Sequence, residues 1–431
     1  MKKNNVHIGV IGLWHLGSVY SSCFAEMGYT VTGFDFDRTV VDNLAYGIPP
    51  LYEPQLKETV KKHINKNLQF THSAKEICKD KDYIFITFDL PVDDNDNINL
   101  ELMYKAEKLL SQNISDPTTV VVSSQVPLGT TRKLYERIKK QSKQNINIVY
   151  FPENLRLGKA FDSFLKPDRI ILGVEFRKIA TKFIHDFPTF KCPFQVMTLE
   201  SAEMVKHALN TYLATCISYS SEIADVSERL GADMRDVVAA LKTDKRVSPF
   251  APINPGMGFA GGTLGRDIRS LMKLGKTTNY KMKLMETVYT VNKDRIGILM
   301  KKISSLLPSL SQSNVGILGL TYKPGTSTLR RSLSLDLARL LHSKRAQIKA
   351  YDPMVQSTIV DYPYVKICQT PEVLFQDTDT VILMTEWPEF LKLEVSKVSK
   401  LMRKKIIIDS KNFLDEKIYI KEGFIYKGIG F

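Results

Sequence analysis

The stretch VHIGVIGLWHLG at residues 6–17 decides the fold, because an apolar strand pattern runs directly into a glycine turn and a helical pattern. Gly12 and Gly17 lie where a nucleotide-binding βαβ unit places the first and last glycines of its turn. Asp35 ends the next strand pattern, about 20 residues on, where a carboxylate can hold the ribose hydroxyls of a dinucleotide. The arrangement predicts a dinucleotide site, and the acid favours NAD over NADP.

The middle glycine of this turn is replaced by Trp14. Glycine is usual at the position because a side chain would collide with the approaching diphosphate of the cofactor. Two interpretations therefore stay open: an NAD site, and an α/β domain that keeps the turn but has lost or altered the site. The candidate cofactor-binding residues are Gly12, Trp14, His15, Leu16, Gly17 and Asp35.

Strand and helix patterns alternate in two separate regions, as is typical of parallel, doubly wound sheets. Strand patterns lie at residues 82–88, 118–125 and 147–153, and again at 314–323, 347–353, 379–387 and 405–412. Between the two regions a helical pattern runs from about Leu199 to Leu230, and a loop rich in glycine and proline follows it at residues 246–267. Further helical patterns extend from Ile268 to about Leu307.

We therefore predict an α/β protein with two Rossmann-like doubly wound domains joined by a long central helical segment. The predicted domains are residues 1–198, which bind the dinucleotide, residues 199–307, which are helical and include the glycine-rich loop, and residues 308–431, which form the second α/β domain.

Length and composition limit the class of protein. A chain of 431 residues that is 43% hydrophobic is too long for one core and fits two or three domains. It has neither a cleavable leader pattern nor the about 20 consecutive apolar residues of a membrane span, so we expect a cytoplasmic protein. The five cysteines are widely spaced, which predicts neither disulfides nor a metal site. The net charge of +14 fits a phosphate-rich ligand, and the even spread of basic residues argues against nucleic acid.

Ordered motifs cover nearly all of the chain: GLWHLG, GFDFD, YGIPPLYEP, SSQVPLGTT, FPENLRLGKAF with KPDRIILG, SAEMVKHALNTYLA, DKRVSPF, NPGMGFAGGTLGRD, GLTYKPGTSTLRRS, AYDP, TEWPEF and IIDSKN. In their order and spacing the chain resembles the UDP-glucose/GDP-mannose dehydrogenase family. The resemblance implies an N-terminal NAD domain, a central helix that forms a homodimer, a C-terminal domain that binds the nucleotide of a nucleotide sugar, and an active site between domains. It also implies a role in making polysaccharide or glycoconjugate precursors.

In that family a cysteine in a GGxC segment captures the aldehyde formed by the first oxidation, and the resemblance places Thr263 at its position. A threonine hydroxyl without a strong base is a poor nucleophile at neutral pH. Cys216 lies about three helical turns from Lys206, and we interpret it as a small buried residue rather than a relocated nucleophile. The covalent route to a uronate is therefore predicted to be absent.

The resemblance also implies which residues keep catalytic roles. Lys206 and Asn210, at i and i+4 on one helix face, match the pair that holds a water and the developing alkoxide of the sugar. Glu153 matches a carboxylate implicated in thioester hydrolysis, and Asp267 matches an aspartate near the lysine. The alternatives are a solvated lysine, a packing amide, and carboxylates that act as caps or ion-pair partners. The candidate catalytic residues are Lys206, Asn210, Asp267, Glu153 and Thr263.

The substrate-binding positions implied by the resemblance lie mainly on the glycine-rich loop. Gly258 and Gly261 would let the backbone approach a phosphate or sugar closely. Arg246 matches an arginine that reaches the nucleotide sugar of a neighbouring subunit, and Lys323 and Arg330 match basic positions near the substrate. Each of these cations could instead be an ordinary surface residue. Leu155 completes the candidate substrate-binding residues.

Two further departures from the family concern hydrolysis: Gln125 replaces a threonine that positions water, and Leu157 replaces a second glutamate. Together with Thr263 they favour an NAD-dependent oxidoreductase that oxidises the CH–OH group of a nucleotide-linked sugar, a UDP-sugar foremost, in a single two-electron step. A variant in which Glu153 activates water on the aldehyde, so that a second oxidation follows, stays open. So does a catalytically inactive family member with a regulatory or partner-binding role, which Trp14 and Thr263 favour.

Overall fold

The computed structural model describes residues 6–93, 97–142, 144–153 and 155–431. The chain divides into two compact units, which we call the N-terminal unit, up to Ala208, and the C-terminal unit, Leu209–Phe431. Each unit contains one sheet. The predicted α/β class with two Rossmann-like domains is confirmed, whereas the three-way division at residues 198 and 307 stays a prediction.

The sheet of the N-terminal unit has eight strands. They are β1 (His7–Ile11), β2 (Thr30–Phe34), β3 (Leu68–Thr71), β4 (Tyr83–Ile86), β5 (Thr118–Val122), β6 (Ile146–Tyr150), β7 (Ile170–Val174) and β8 (Phe194–Met197). Their order in the sheet is β3-β2-β1-β4-β5-β6-β7-β8, and of these neighbours β6 and β7 run antiparallel while the others run parallel. The strand order reverses between β1 and β4, which is where open α/β sheets bind nucleotides.

Helices cover this sheet on both faces. They are α1 (His15–Glu26), α2 (Arg38–Ala45), α3 (Leu56–His63), α4 (Ala74–Cys78), α5 (Glu101–Asn113), α6 (Thr130–Gln141), α7 (Ala160–Leu165) and α8 (Arg177–Asp186). On β4, Tyr83 and Phe85 belong to one apolar cluster, and Ile84 and Ile86 belong to another. Because successive side chains of a strand point to opposite faces, both faces of the sheet are buried, as expected for parallel strands.

The long helix α9 (Leu199–Leu230) has 32 residues and matches the predicted helical segment at both ends. It begins in the N-terminal unit and continues into the C-terminal unit. The helical patterns predicted from Ile268 to about Leu307 form two helices, α11 (Thr263–Thr277) and α12 (Lys283–Leu306), and α11 begins within the stretch predicted as a loop. The helix α10 (Met234–Leu241) was not predicted.

The sheet of the C-terminal unit has six parallel strands in the order β11-β10-β9-β12-β13-β14. The strands are β9 (Asn314–Leu318), β10 (Gln347–Tyr351), β11 (Val365–Ile367), β12 (Thr380–Leu383), β13 (Ile406–Asp409) and β14 (Ile425–Lys427). The helices are α13 (Leu333–Ser343), α14 (Pro371–Phe375), α15 (Val395–Ser399) and α16 (Glu416–Lys421), with a 3-10 helix at Pro388–Lys392. Here the order reverses between β9 and β12, which is the point where open α/β sheets bind ligands.

The two sheets begin with equivalent turns. Gly12 follows β1 with φ +96° and donates to the carbonyl of Phe34 at 2.9 Å, while Gly319 follows β9 with φ +93° and donates to the carbonyl of Tyr351 at 2.8 Å. A left-handed backbone at these positions favours glycine. The same turn after the first strand of each sheet indicates that the two units share one supersecondary plan.

Candidate functional site

The first turn has the close packing that the sequence predicts. A Cβ on Gly12 would lie 2.6 Å from the ring of Phe88, and a Cβ on Gly17 would lie 1.6 Å from the carbonyl oxygen of Gly12. Neither position has room for a side chain, so β1 and α1 approach as closely as a dinucleotide-binding turn requires. These glycines therefore fit an NAD site.

The other predicted cofactor residues surround this turn. Asp35 accepts a hydrogen bond from the amide of Leu13 at 2.6 Å, which holds the carboxylate at the turn. Trp14 has φ −67°, so its backbone conformation does not demand glycine, and the residue is half exposed, at 50%. His15 is the first residue of α1, and its Nε2 lies 3.0 Å from Oε2 of the buried Glu53.

A carboxylate that the sequence analysis missed lies at the same turn. Asp89 follows β4, and its Oδ2 accepts a hydrogen bond from the amide of Leu16 at 3.2 Å. Surrounding protein raises the pKa of Asp89 by removing water, while the amide of Leu16 and the charge of His15 act in the opposite direction. The residue is nevertheless exposed, and contact with water limits that rise. An acid after a strand was the available signal, but its partner on α1 is 73 residues away.

Lys206 and Glu153 form a half-buried pair within the N-terminal unit. The ammonium group of Lys206 donates to the carbonyl oxygen of Glu153 at 2.7 Å and to its Oε2 at 3.2 Å. Their side chains are 11% and 22% exposed. Leu155, two residues further along, packs with its side chain against the apolar core of this unit. The structure thus brings together two of the predicted catalytic residues.

A second pair lies within the C-terminal unit. Asn210 on α9 donates from its amide nitrogen to the carboxylate of Asp267 on α11. Asp267 is fully buried, and its other oxygen lies 4.0 Å from Nε of Arg266. Thr263 is the first residue of α11, one helical turn before Asp267, and is exposed. A carboxylate in this setting can hold an amide in a single orientation, which is what a group that hydrogen-bonds to the substrate needs.

The glycine-rich loop is fixed by a residue that the sequence analysis missed. Asn292 on α12 accepts from the amide of Phe259 at 2.7 Å and donates to its carbonyl at 3.0 Å. A Cβ on Gly258 would lie 2.3 Å from the Asn292 carbonyl oxygen, which explains the glycine there. The amide of Gly261 donates to the carbonyl of Arg331 at 3.2 Å. The loop therefore contacts the segment that follows β9.

The predicted basic positions differ in their surroundings. Lys323 and Arg330 lie on the segment after β9, at the carboxyl edge of the sheet near the reversal of strand order. The ammonium of Lys323 lies 5.7 Å from the centre of the Tyr322 ring, and burial raises the pKa of Tyr322. Arg246 is 88% exposed and forms an ion pair with Asp244 at 2.7 Å.

Asp352 is the counterpart of Asp35 in the C-terminal unit, and the sequence analysis missed it. This buried carboxylate accepts from the amides of Leu320 and Thr321 at 2.7 and 2.9 Å and from the indole N–H of Trp387 at 3.1 Å. It ties the turn after β9 to β10, which positions the segment that carries Lys323. The AYDP motif was the signal that could have identified it.

Within the described ranges, no three or more histidine, cysteine, aspartate or glutamate side chains are arranged to hold a metal ion. No helix in those ranges combines the length and the apolar character needed to cross a bilayer.

Comparisons with known proteins agree with this geometry. Models of the UDP-glucose/GDP-mannose dehydrogenase family match in order: the NAD binding domain at residues 6–187, the central domain at 200–294 and the UDP binding domain at 316–416. The chain is 31% identical over 428 residues to UDP-glucose 6-dehydrogenase TuaD of Bacillus subtilis (strain 168), covering 98% of this chain and 93% of that protein.

Similarity to a second relative and to a solved structure also spans the chain. Identity to the UDP-glucose 6-dehydrogenase of Rickettsia typhi (strain ATCC VR-144 / Wilmington) is 30% over 437 residues, covering 99% of each protein. A UDP-glucose dehydrogenase structure from the hyperthermophilic archaeon Pyrobaculum islandicum has a TM-score of 0.90 and 28% identity, covering 100% of this chain and 99% of that one. The chain therefore belongs to the UDP-glucose/GDP-mannose dehydrogenase family.

Proposed function

We propose that this protein is an NAD-dependent oxidoreductase that oxidises the CH–OH group of a UDP-linked sugar in a single two-electron step. The observation that carries the proposal is the pairing of Lys206 with Glu153 and of Asn210 with Asp267, while the position of a nucleophile is occupied by Thr263. The residues for the first oxidation are kept, and the thiol for the second is not. Bound NAD would supply the hydride acceptor.

Lys206 is suited to stabilise a developing alkoxide on the sugar. An ammonium group has three N–H donors, and its two hydrogen bonds to Glu153 use two of them. Among the described residues no further acceptor holds the ammonium group, so we assign its third N–H to a substrate oxygen, with the stem of the side chain already fixed. A donor that is oriented before the reaction does not need to reorganise when charge develops, which is why such groups lower barriers.

Asp267 positions Asn210 in the same scheme. Because Asp267 accepts from Asn210 and is fully buried, it fixes the rotamer of the amide, whose carbonyl oxygen can then accept from a water or from the sugar hydroxyl. Thr263 has no thiol to capture an aldehyde. Cys216 is partly buried and packs against an apolar cluster of the C-terminal unit, which favours a packing role over that of a nucleophile. We therefore assign no covalent intermediate to this chain.

Residues 308–431 would bind the nucleotide of the sugar. The family model over this segment is a UDP binding domain, and the loop that carries Lys323 and Arg330 follows β9 at the reversal of strand order. A cationic loop with guanidinium forks suits a diphosphate. Residues 1–198 would bind NAD, and residues 199–307 would supply the helices and the glycine-rich loop. The reaction with the nucleotide sugar would take place in the cytoplasm.

A second candidate function is that of a catalytically inactive nucleotide-sugar-binding protein. Asp89 favours it, because its carboxylate lies at the amide of Leu16, where a cofactor diphosphate would bind. The two candidates differ in one observable. The oxidoreductase forms NADH when mixed with NAD and its nucleotide sugar, whereas the binding protein takes up the nucleotide sugar without forming NADH.

We expect NADH, followed by its absorbance, when the purified chain is incubated with NAD and UDP-glucose, or with another UDP-linked hexose of a small panel. A carbonyl trap such as semicarbazide should increase the yield, because oxidation of CH–OH to a carbonyl releases one hydride and one proton and is readily reversed. Binding of a UDP-linked sugar without any NADH across the panel would instead establish the second candidate.

We also propose that the protein is a homodimer formed through α9. Tyr212, Tyr219, Val226 and Leu230 are 59%, 50%, 51% and 79% exposed and recur along one side of the helix, since spacings of seven and four residues keep one face. We expect Tyr219→Glu to sediment as a monomer at micromolar concentration, while Tyr46→Glu, at an exposed site in the N-terminal unit, should sediment as a dimer. If the Tyr219→Glu variant still sediments as a dimer, the proposed interface is wrong.

A further inference from the structure

Asp89 lies at the edge of the N-terminal sheet where a dinucleotide would bind. It follows the end of β4 by three residues, and β4 and β1 flank the reversal of strand order. In open α/β sheets the ligand crevice opens at this point, outside the carboxyl ends of the strands. The side chain is exposed and therefore accessible from the solvent side of the crevice.

The hydrogen bond of Asp89 uses a donor that a cofactor diphosphate would need. Oδ2 of Asp89 accepts from the amide of Leu16 at 3.2 Å, and Leu16 is the second residue of α1. Amides in the first turn of this helix have no partner within the helix and form its anion-binding end. A carboxylate of the chain itself therefore occupies a donor that the diphosphate would use.

The charges around Asp89 do not remove this competition. His15 lies on the same turn, but its Nε2 is 3.0 Å from the carboxylate of Glu53. Glu53 is held in turn by the amides of Gly158 and Ala160, both at 2.9 Å. Glu153 adds a further negative charge near Asp89. A diphosphate that arrives here meets carboxylates and has to displace one of them.

We propose that Asp89 is the residue that sets the cofactor affinity of this protein: its carboxylate holds the amide of Leu16 and must be displaced before a dinucleotide diphosphate can bind. Trp14 is the position that the sequence singles out as an obstacle, but its indole is half exposed. Asp89, not Trp14, is therefore the main barrier to the diphosphate. The inference rests on the proposed use of NAD.

The test is calorimetric titration of the full chain with NAD and, separately, with ADP-ribose, which carries the same diphosphate without the nicotinamide. Asp89→Asn keeps the shape and an oxygen that can accept from Leu16, but removes the charge. Because water and salt screen an exposed charge, we expect the dissociation constants of both ligands to fall by about tenfold rather than more. Asp168→Asn, at an exposed residue of the same unit, is the control and should change them by less than about threefold. Trp14→Gly tests the competing account, in which the indole is the obstacle, and should tighten both ligands by less than Asp89→Asn does.

Each outcome decides the inference. Tightening of both ligands by Asp89→Asn alone supports it. Unchanged or weaker binding by a folded Asp89→Asn variant overturns it. A larger gain in affinity from Trp14→Gly, or no binding by any variant, overturns it as well. If Asp89→Asn melts early, Asp89→Ala is used instead. The proposed function is tested separately. If the protein forms NADH but Asp89→Asn leaves the affinity for NAD unchanged, only the inference about Asp89 is wrong. If Asp89→Asn tightens NAD binding but no NADH forms, only the proposed reaction is wrong.

Discussion

Lys206→Met lowers kcat for NADH formation by about 10³-fold in the proposed reaction. The substitution keeps the length of the apolar stem but removes the ammonium group, which the two contacts to Glu153 hold in place. Because the lost interaction strengthens as charge develops on the sugar oxygen, the loss should appear in kcat more than in KM. Steady-state kinetics with the nucleotide sugar that gives NADH measures both constants.

Lys133→Met is the matched control, since Lys133 is an exposed lysine on α6 of the same unit. It should leave kcat within about twofold of the unsubstituted protein. Equal kcat values for Lys206→Met and the unsubstituted protein would show that the ammonium group has no role in the reaction, and that its pairing with Glu153 is only structural.

Asp267→Asn should lower kcat by about 10²-fold or more, because the amide that replaces the carboxylate can no longer fix Asn210 in one orientation. Asp267 is fully buried and accepts from Asn210. Because Asp267 acts through Asn210, the double variant Asp267→Asn/Asn210→Ala should lose about as much kcat as the more damaging of the two single variants. The kcat values of the two single variants and the double variant give the coupling.

Asp294→Asn, at an exposed aspartate on α12 of the same unit, controls for the loss of one negative charge. Its kcat and melting temperature should be unchanged. Fully additive losses in the double variant would contradict the pairing, since independent residues contribute independently. A loss of kcat that is matched by early melting of Asp267→Asn would identify Asp267 as a core residue only.

Patterns of short range predicted the architecture well. The apolar strand before Gly12 and the long helical pattern that became α9 both follow local periodicity, which the sequence displays directly. Short or irregular strands were missed, including β3, β7, β8, β11 and β14. Length alone does not explain this, because β4, β12 and β13 have four residues each and were predicted from continuous apolar runs that are buried throughout. Of the missed strands, β3, β8, β11 and β14 include exposed residues, so their sequences resemble loops.

The sequence predicted which residues belong to the candidate site, but not which of them contact one another. The motifs named Lys206 and Glu153, yet only the fold shows that they form a pair across 53 positions of the chain. Asp89, Asn292 and Asp352 were missed for the same reason. Each is an ordinary polar residue until the fold places it at the amide of a distant turn or loop. The sequence position of a carboxylate carries no information about which amide it will accept from.

The most direct test of the account is the number of NADH molecules formed per nucleotide sugar consumed, with the product identified by mass. Because position 263 is a threonine and not a cysteine, the account predicts one NADH per nucleotide sugar consumed and a carbonyl product that semicarbazide traps. Introducing the thiol with Thr263→Cys should leave that first oxidation intact and allow a covalent adduct with the carbonyl. Two NADH and a uronate from the unsubstituted chain would contradict the single-oxidation account, because the second hydride transfer would then proceed without a cysteine.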